Sequence, residues 1–403
     1  MNKGRNRKTG SRLQSIDFGI FFSTLCLVCI GIVMVSSASY YWSIYLSGEP
    51  YLFLRAEIKW AVLGIFFMIL AAMTDYRIYK KIMPLIMLVS FILLIAVLVI
   101  GDEKKGARRW ISLGGFTLMP GEIAKLSSII FASSYLGHSN RDVNKPKDLS
   151  VITVMVIATG LLIMLQPNMS TAVTLVAVVF CIMIVAGLKW RYVAFLSITG
   201  AAGVIFLALS SSYRLKRMMS FTNPFENPKG DGFQVVNSLF ALGSGGLIGK
   251  GLGQSVQKNL FLPEPQNDFI LAVIGEEIGY FGVLVIILIY MFLIWRCIHV
   301  LLRCDDKFAL LLGSGITMLI GIQVMLNLGI ITSSIPPTGI ALPFLSYGGN
   351  ALMLFCFSIG IMLNISRHAK KTGKDLLNTE ADVSYELGFK KIKLQKRLHR
   401  TVK

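Results

Sequence analysis

Ten long apolar stretches, each bounded by polar residues, constrain this chain more than any other feature. They run at 17–39, 57–74, 81–100, 119–136, 149–166, 169–187, 191–210, 269–296, 308–332 and 345–366 of a 403-residue sequence. About 20 apolar residues coiled as a helix match the hydrocarbon core of a bilayer, where backbone groups must satisfy one another. The pattern predicts an all-α polytopic membrane protein with ten transmembrane helices. Composition agrees, because 15% charged residues fall well short of the about 25% usual in soluble domains. The chain divides into a basic N-terminus at 1–16, a membrane domain at 17–366 and a basic tail at 367–403. A large loop, 211–268, joins the seventh and eighth helices.

The formal net charge of +19 has an ordinary cause in a chain of this kind. Basic residues crowd the cytoplasmic ends of spans, and here they are scattered among spans with no nucleic-acid-binding module between them. Nucleic acid is therefore excluded as a partner, and membrane lipid is the surrounding medium. Most of the six cysteines lie in apolar runs, where Cys acts as a small hydrophobe. Cys26 and Cys29 form a C-x-x-C pair without a second pair or a His ligand, so neither a metal site nor a disulfide framework is implied. The basic N-terminus leads into an apolar run of span length without a small-residue cleavage site, which reads as a retained first span.

Short loops set the orientation. Lys3, Arg5, Arg7, Lys8 and Arg12 precede the first span, and Arg77, Lys80 and Lys81 follow the second. Arg141, Lys145 and Lys147 follow the fourth, Lys189 and Arg191 the sixth, and Arg296, Arg303 and Lys307 the eighth. These loops alternate to one side, which the positive-inside bias assigns to the cytoplasm together with both termini. Two loops on the other side break the bias. The 101–118 loop carries Lys104, Lys105, Arg108 and Arg109, and the 211–268 loop carries Arg214, Lys216, Arg217, Lys229, Lys250 and Lys258. Long loops cross regardless of charge, so the second exception alone decides nothing. The first is short, and it adjoins Glu122 and Lys125, ionisable residues in a span of the sort that usually face a functional cavity. Together they point to an outward-facing basic site for an anion.

Three further stretches bear on that site. The run Gly243-Ser-Gly-Gly-Leu-Ile-Gly-Lys-Gly-Leu-Gly253 fails the Walker pattern, because Ser244 takes the first glycine position and Gly251 follows Lys250. Tight turns, or a backbone brought close to a lipid headgroup, are the readings left. The apolar stretch Phe233–Leu242 just before it lies on or dips into the membrane. The run Ser333–Gly349 holds three prolines and three glycines at membrane depth, where irregular backbone survives only if protein buries it or water fills a cavity. After Lys371 the tail is polar, with a weakly amphipathic basic end at Phe389–Leu398, read either as a disordered arm or as a surface-lying helix.

Several of these motifs together carry a resemblance. They are Gly106–Gly114, Pro120-Gly-Glu-Ile-Ala-Lys125, Tyr213-Arg-Leu-Lys-Arg217, Asn223–Pro228, Gly253–Lys258, Leu262-Pro-Glu-Pro265, Asp268-Phe269, Gly275-Glu-Glu-Ile-Gly279 and Pro343–Gly349. Over residues 15–370 the chain resembles the SEDS proteins (shape, elongation, division and sporulation), in their FtsW/SpoVE-like branch. Leu-Pro-Glu-Pro with Asn-Pro-Phe-Glu upstream favours that branch over the elongation one. Four places depart from the family's pattern. Gln-Pro-Ser-Glu reads Met119-Pro-Gly121-Glu122, and Gln-Pro-Asp-Leu-Gly-Thr reads Gln166-Pro-Asn168-Met-Ser-Thr171. Gln266-Asn267 replaces a Thr-containing pair, and Gly348-Gly-Asn-Ala351 replaces Gly-Gly-Ser-Ser.

The resemblance implies an inverting peptidoglycan glycosyltransferase that polymerises lipid II, with undecaprenyl pyrophosphate leaving the growing glycan. It implies a bacterial plasma-membrane location, at the division septum for this branch, and a class B penicillin-binding transpeptidase and divisome proteins as partners. Such a reaction needs a base at the attacking hydroxyl and positive charge at the departing diphosphate. Asp268 is expected as the base, although a carboxylate at a helix start is equally read as an N-cap. Arg109, Glu122, Lys125, Arg214, Lys216, Arg217, Lys258 and Ser346 are expected to bind substrate, with an ion pair of Glu122 and Lys125, three apart on one helix face, as the structural alternative. Glu276 and Glu277 lie about 12 Å or more along the helix from Asp268, too far for a carboxylate pair on one bond, and read as packing or conformational partners. A divalent cation, Mg or Mn, is chemically suited to the diphosphate, with no ligand cluster in the sequence to hold it. A lipid II flippase and a non-catalytic scaffold for a transpeptidase remain the alternatives.

Overall fold

The computed structural model describes residues 16–369 apart from 105–106, 114–115, 210–220, 222, 229, 231 and 338. Each of the ten apolar stretches folds as a helix. In chain order the helices are α1 (Phe18–Ser47), α2 (Leu52–Met73), a short α3 (Arg77–Lys81), α4 (Met83–Ile100), α5 (Pro120–Leu136) and α6 (Pro146–Met164). They continue with α7 (Met169–Val185), α8 (Trp190–Leu209), α9 (Phe233–Gly245), α10 (Ile270–Leu301), α11 (Lys307–Ile331) and α12 (Asn350–His368). Seven of them, α1, α2, α4, α6, α10, α11 and α12, are long and apolar enough to cross a membrane, and α7 is a shorter apolar helix.

The all-α expectation is corrected at one place. The first basic loop is a three-stranded antiparallel meander, β1 (Asp102–Lys104), β2 (Ala107–Leu113) and β3 (Phe116–Leu118), in that order. Glu103 faces Arg108 across β1 and β2, with 3.5 Å between their charged atoms. Helix ends also shift. α2 begins at Leu52 and takes in Arg55, Glu57 and Lys59, and α1 runs on to Ser47. A helix continues past the apolar core wherever its backbone bonds continue, so hydropathy alone sets these ends short.

Packing follows the rule for helices in lipid, where small residues let backbones meet. A Cβ on Gly360 of α12 would stand 2.3 Å from the Met68 carbonyl of α2, and Gly64 lies against Cys356. Gly315 of α11 sits between Ile129 and Ile182, from α5 and α7. α11 and α12 are the most enclosed of the seven candidate spans, whereas α4 keeps most of its surface bare.

One end of the bundle gathers every described loop that the positive-inside reading assigns to the cytoplasm. Asp17 caps α1 by accepting from the Ile20 amide and pairs with Arg296 of α10 at 2.6 Å, while its own amide donates to Ser366. The Tyr76 hydroxyl donates to Asp306, the N-cap of α11, at 2.8 Å, and its amide donates to Asn364 of α12. Burial pushes the Tyr76 phenol up to about 12. Lys80 reaches the Gly137 carbonyl, and Asn144 bonds both the Gly187 carbonyl and the Lys189 amide. The opposite end holds the irregular loops.

Candidate functional site

Asp268 stands half-buried where two irregular loops meet at that opposite end. Its backbone carbonyl accepts from the Asn327 amide of α11 at 2.9 Å, and the same amide donates to the Ile340 carbonyl at 2.8 Å. Asn327 is fully buried, so one side chain from the enclosed helix ties the Asp268 segment to the 333–344 loop. A second tie runs from the Tyr347 amide to the Gln266 carbonyl, 2.9 Å. Glycine is required nearby: Gly339 has φ +72°, and a Cβ there would stand 3.3 Å from the Asp268 carboxylate. The N-cap position of α10 is Phe269, which makes no side-chain cap bond. Asp268 thus precedes the cap position and does not occupy it.

Around this junction the helix N-termini of α5, α7 and α12 converge. The Asn350 amide, at the start of α12, donates to the Met119 carbonyl before α5 at 3.4 Å. Thr171 and Asn168, from the start of α7, lie against Gly121 of α5. One turn into α5, Lys125 pairs with Glu122 at 2.9 Å, at 3% and 13% side-chain exposure, and the ammonium also faces the Phe355 ring of α12. Arg109 of β2 donates to the carbonyls of Gln166 and Pro167, just before α7. The meander therefore fastens its guanidinium to the same end of the bundle.

The remaining expected residues fall into two groups. Lys258 is turned inward, 2% exposed, with its ammonium 2.7 Å from Glu277 and 2.8 Å from the Ser37 hydroxyl of α1. Ser346 is also enclosed: its hydroxyl accepts from the Leu342 amide at 2.8 Å and closes the 342–346 turn. Arg214, Lys216 and Arg217 lie outside the described residues. Among the described residues, no group of three His, Cys, Asp or Glu side chains is placed to hold a metal ion.

The glycine run proves to be a strap that repairs a broken helix. Within α10, Gly279 adopts φ 69°, ψ −171°, a conformation open essentially to glycine alone. A continuous helix would bond the Tyr280 and Phe281 amides to the carbonyls four residues back, Glu276 and Glu277. Instead those amides donate to the Gly246 and Leu247 carbonyls, and the two freed carbonyls accept from the Lys250 and Gly251 amides, at 2.9–3.2 Å throughout. The Glu276 carboxylate, fully buried, pairs with Lys250 and accepts from Ser244, Ser255 and the amides of Val256 and Gln257. Tight turns, one of the two readings of this run, describe it.

Asn327, Ser37 and the break at Gly279 escaped the sequence reading. Asn327 had a usable signal, being an amide in an otherwise apolar helix, where a buried polar group needs partners. Ser37 had none, because its partners lie 221 and 240 positions away.

A helical polytopic protein with a polar, loop-built site at one end of its bundle is the class that this architecture defines. The chain belongs to the FtsW/RodA/SpoVE family of cell cycle proteins, whose family model matches residues 18–371. It is 39% identical over 363 residues to stage V sporulation protein E of Bacillus subtilis, covering 89% of this chain and 99% of that one. A probable peptidoglycan glycosyltransferase FtsW of Geobacter metallireducens is 37% identical over 363 residues, covering 89% and 97%. Among solved structures, a chain of a peptidoglycan synthase complex that coordinates polymerization and crosslinking superposes with a TM-score of 0.74 at 25% identity, covering 89% and 99%. The rod shape determining protein RodA of Thermus thermophilus gives 0.67 at 26%, covering 89% and 98%.

Proposed function

We propose that this chain is a peptidoglycan glycosyltransferase that polymerises lipid II, with Asp268 as the general base. The observation that carries the reading is the mounting of Asp268. A half-buried carboxylate is held through its own carbonyl by a buried amide of an enclosed helix, at the end of the bundle where Lys125 and Arg109 also lie. A base must be fixed within reach of the hydroxyl that it deprotonates, and cations must already be in place where a diphosphate departs. Asp268 would take the proton of the acceptor sugar's 4-hydroxyl as that oxygen attacks the anomeric carbon of the growing chain. The bond to the diphosphate breaks, and the configuration inverts. Lys125 and Arg109 would supply positive charge toward the leaving diphosphate, the role expected also of Arg214, Lys216 and Arg217, which lie outside the described residues. Lys258 and Ser346, both enclosed, act on the positions of the loops.

With ten spans and both termini in the cytoplasm, as the positive-inside bias suggests, this site would lie at the outer face, where lipid-linked precursors are consumed. The relatives named for sporulation and for FtsW support a septal role, and the likeness to a polymerization-and-crosslinking complex supports a class B penicillin-binding transpeptidase as partner. The test is glycan synthesis from lipid II by the purified full-length chain with its transpeptidase. Asp268→Asn is expected to abolish product while leaving the thermal unfolding profile unchanged. Polymerisation by Asp268→Asn at the wild-type rate would sink the assignment. Lipid II crossing vesicle membranes without any polymerisation would replace it with transport.

A further inference from the structure

Glu264, in the segment that leads to Asp268, takes φ 48°, in the left-handed region that few non-glycine residues enter. Its setting makes this costlier still. Pro265 follows it, and a proline biases the residue before it toward extended backbone. A conformation disfavoured on two counts persists only where the surrounding structure imposes it. Here Asn267 bonds Glu264 twice. Its backbone amide donates to the Glu264 carbonyl at 3.0 Å, and its side-chain amide donates to the Glu264 carboxylate, also at 3.0 Å. Together the two bonds close a turn over 264–267, and Asp268 is the next residue. The chain is anchored on both sides of this turn. Before it, the buried Leu262 donates its amide to the Gln257 carbonyl at 2.9 Å. Within it, the Gln266 carbonyl accepts from the Tyr347 amide, and after it Asn327 holds the Asp268 carbonyl. These backbone anchors fix where the chain passes. The direction in which Asp268 leaves the turn follows from the turn's own closure, and the side-chain bond is part of that closure. A hydrogen bond to an ionised acceptor is roughly twice as strong as a neutral one, which suits this carboxylate to holding a disfavoured backbone in place.

We propose that Glu264 is a positioning residue for Asp268: its carboxylate, bonded by the Asn267 side chain, locks the 264–267 turn and so aims the base. The proposal rests on the reading of Asp268 as the base and names what orients it. The contact asks only for a donor at 267, which the asparagine amide supplies and a threonine hydroxyl would supply too.

The test is glycan synthesis from lipid II by the purified full-length chain with its transpeptidase, with kcat and KM read separately at a temperature where every variant is folded. Glu264→Gly leaves the backbone free to take positive φ but removes the carboxylate, and Asn267→Ala removes the side-chain donor. Each is expected to lower kcat at least about tenfold, since a displacement of about 1 Å at a reacting group can cost about a hundredfold. KM for lipid II should stay within about twofold, the pattern of a group that acts on the transition state alone. Glu264→Gln keeps an acceptor, weaker because uncharged, and should hold kcat within about threefold of wild type. The double variant Glu264→Gly, Asn267→Ala should fall no further than the slower single variant, because both changes remove one bond. A kcat for Glu264→Gly within about twofold of wild type overturns the proposal, because the backbone turn alone would then suffice. Glu264→Gln as slow as Glu264→Gly overturns it too, by giving the role to the charge and not to the bond. Losses that multiply in the double variant do the same. Asp268→Asn separates this proposal from the one beneath it. If Asp268→Asn is inactive while Glu264→Gly works at the wild-type rate, only the positioning role falls; if Asp268→Asn polymerises at the wild-type rate, both fall.

Discussion

Asn327 shows how much of the site depends on a side chain that never meets substrate. Its amide hydrogens reach two backbone carbonyls, those of Asp268 and Ile340, from two different loops. Neither carbonyl belongs to regular structure, so the bonds serve to fix two chain segments against each other. In Asn327→Leu the branched heavy-atom skeleton is kept, but both bonds are lost and the carbonyls are left in a dry place. Each orphaned group costs about 1–3 kcal/mol, so thermal unfolding of the purified chain should shift down by about 2 kcal/mol or more. Lipid II polymerisation should fall further than stability does, because Asp268 loses its anchor while most of the bundle is untouched. A variant that unfolds earlier but polymerises normally at a temperature where it is folded would show that Asn327 only stabilises.

At the scale of elements, the break in α10 and the strap that fills it form one unit. Gly279 is buried, and a Cβ there would stand 2.4 Å from the Gly249 nitrogen of the strap. Gly279→Ala therefore combines backbone strain of about 1–3 kcal/mol with a collision against backbone that cannot rotate away, and it should destabilise by several kcal/mol or prevent folding. Gly243→Ala is the control: the residue lies in helix α9 with nothing near its Cβ position, and the change should be neutral or stabilise by up to about 1 kcal/mol. Equal unfolding temperatures for the two variants would refute the strap's structural role. The contrast also explains what was legible in the sequence. All ten apolar stretches became helices, because apolar length is a local property that each stretch carries in full. The meander did not show, since its seven-residue central strand, Ala107–Leu113, is interrupted by Arg108 and Arg109 and reads first as charge. Gly114-Gly115, a pair of hairpin type, was the overlooked cue. The strap was out of reach, because its bonds join residues about 30 positions apart and no local pattern announces a helix break completed by another segment. For the same reason the motif singles out Asp268 as the expected base, while the residues that mount it carry no such local signal.

For the whole molecule, the two ends of the bundle are built differently. One end is closed by ion pairs and caps that join α1, α10, α11 and α12 and the loops between spans, including Asp17 with Arg296 and Tyr76 with Asp306. The other end is irregular backbone held by amide side chains and by buried carboxylate–ammonium pairs. Fastening one end firmly allows the other to carry bent loops, a broken helix and a half-buried acid without loss of the bundle. The positive-inside bias leads us to expect the fastened end in the cytoplasm, and the proposed reaction needs the irregular end outside. Single cysteines in a cysteine-free background test this with a membrane-impermeant maleimide on intact cells. Residues 49 and 334, exposed at the irregular end, should label when Glu49→Cys or Ser334→Cys is introduced. Asn140→Cys and Asp305→Cys, exposed at the fastened end, should label only after the membrane is opened. Labelling of Asn140→Cys in intact cells would turn the molecule over, and a site that faces the cytoplasm has no access to glycan strands growing outside.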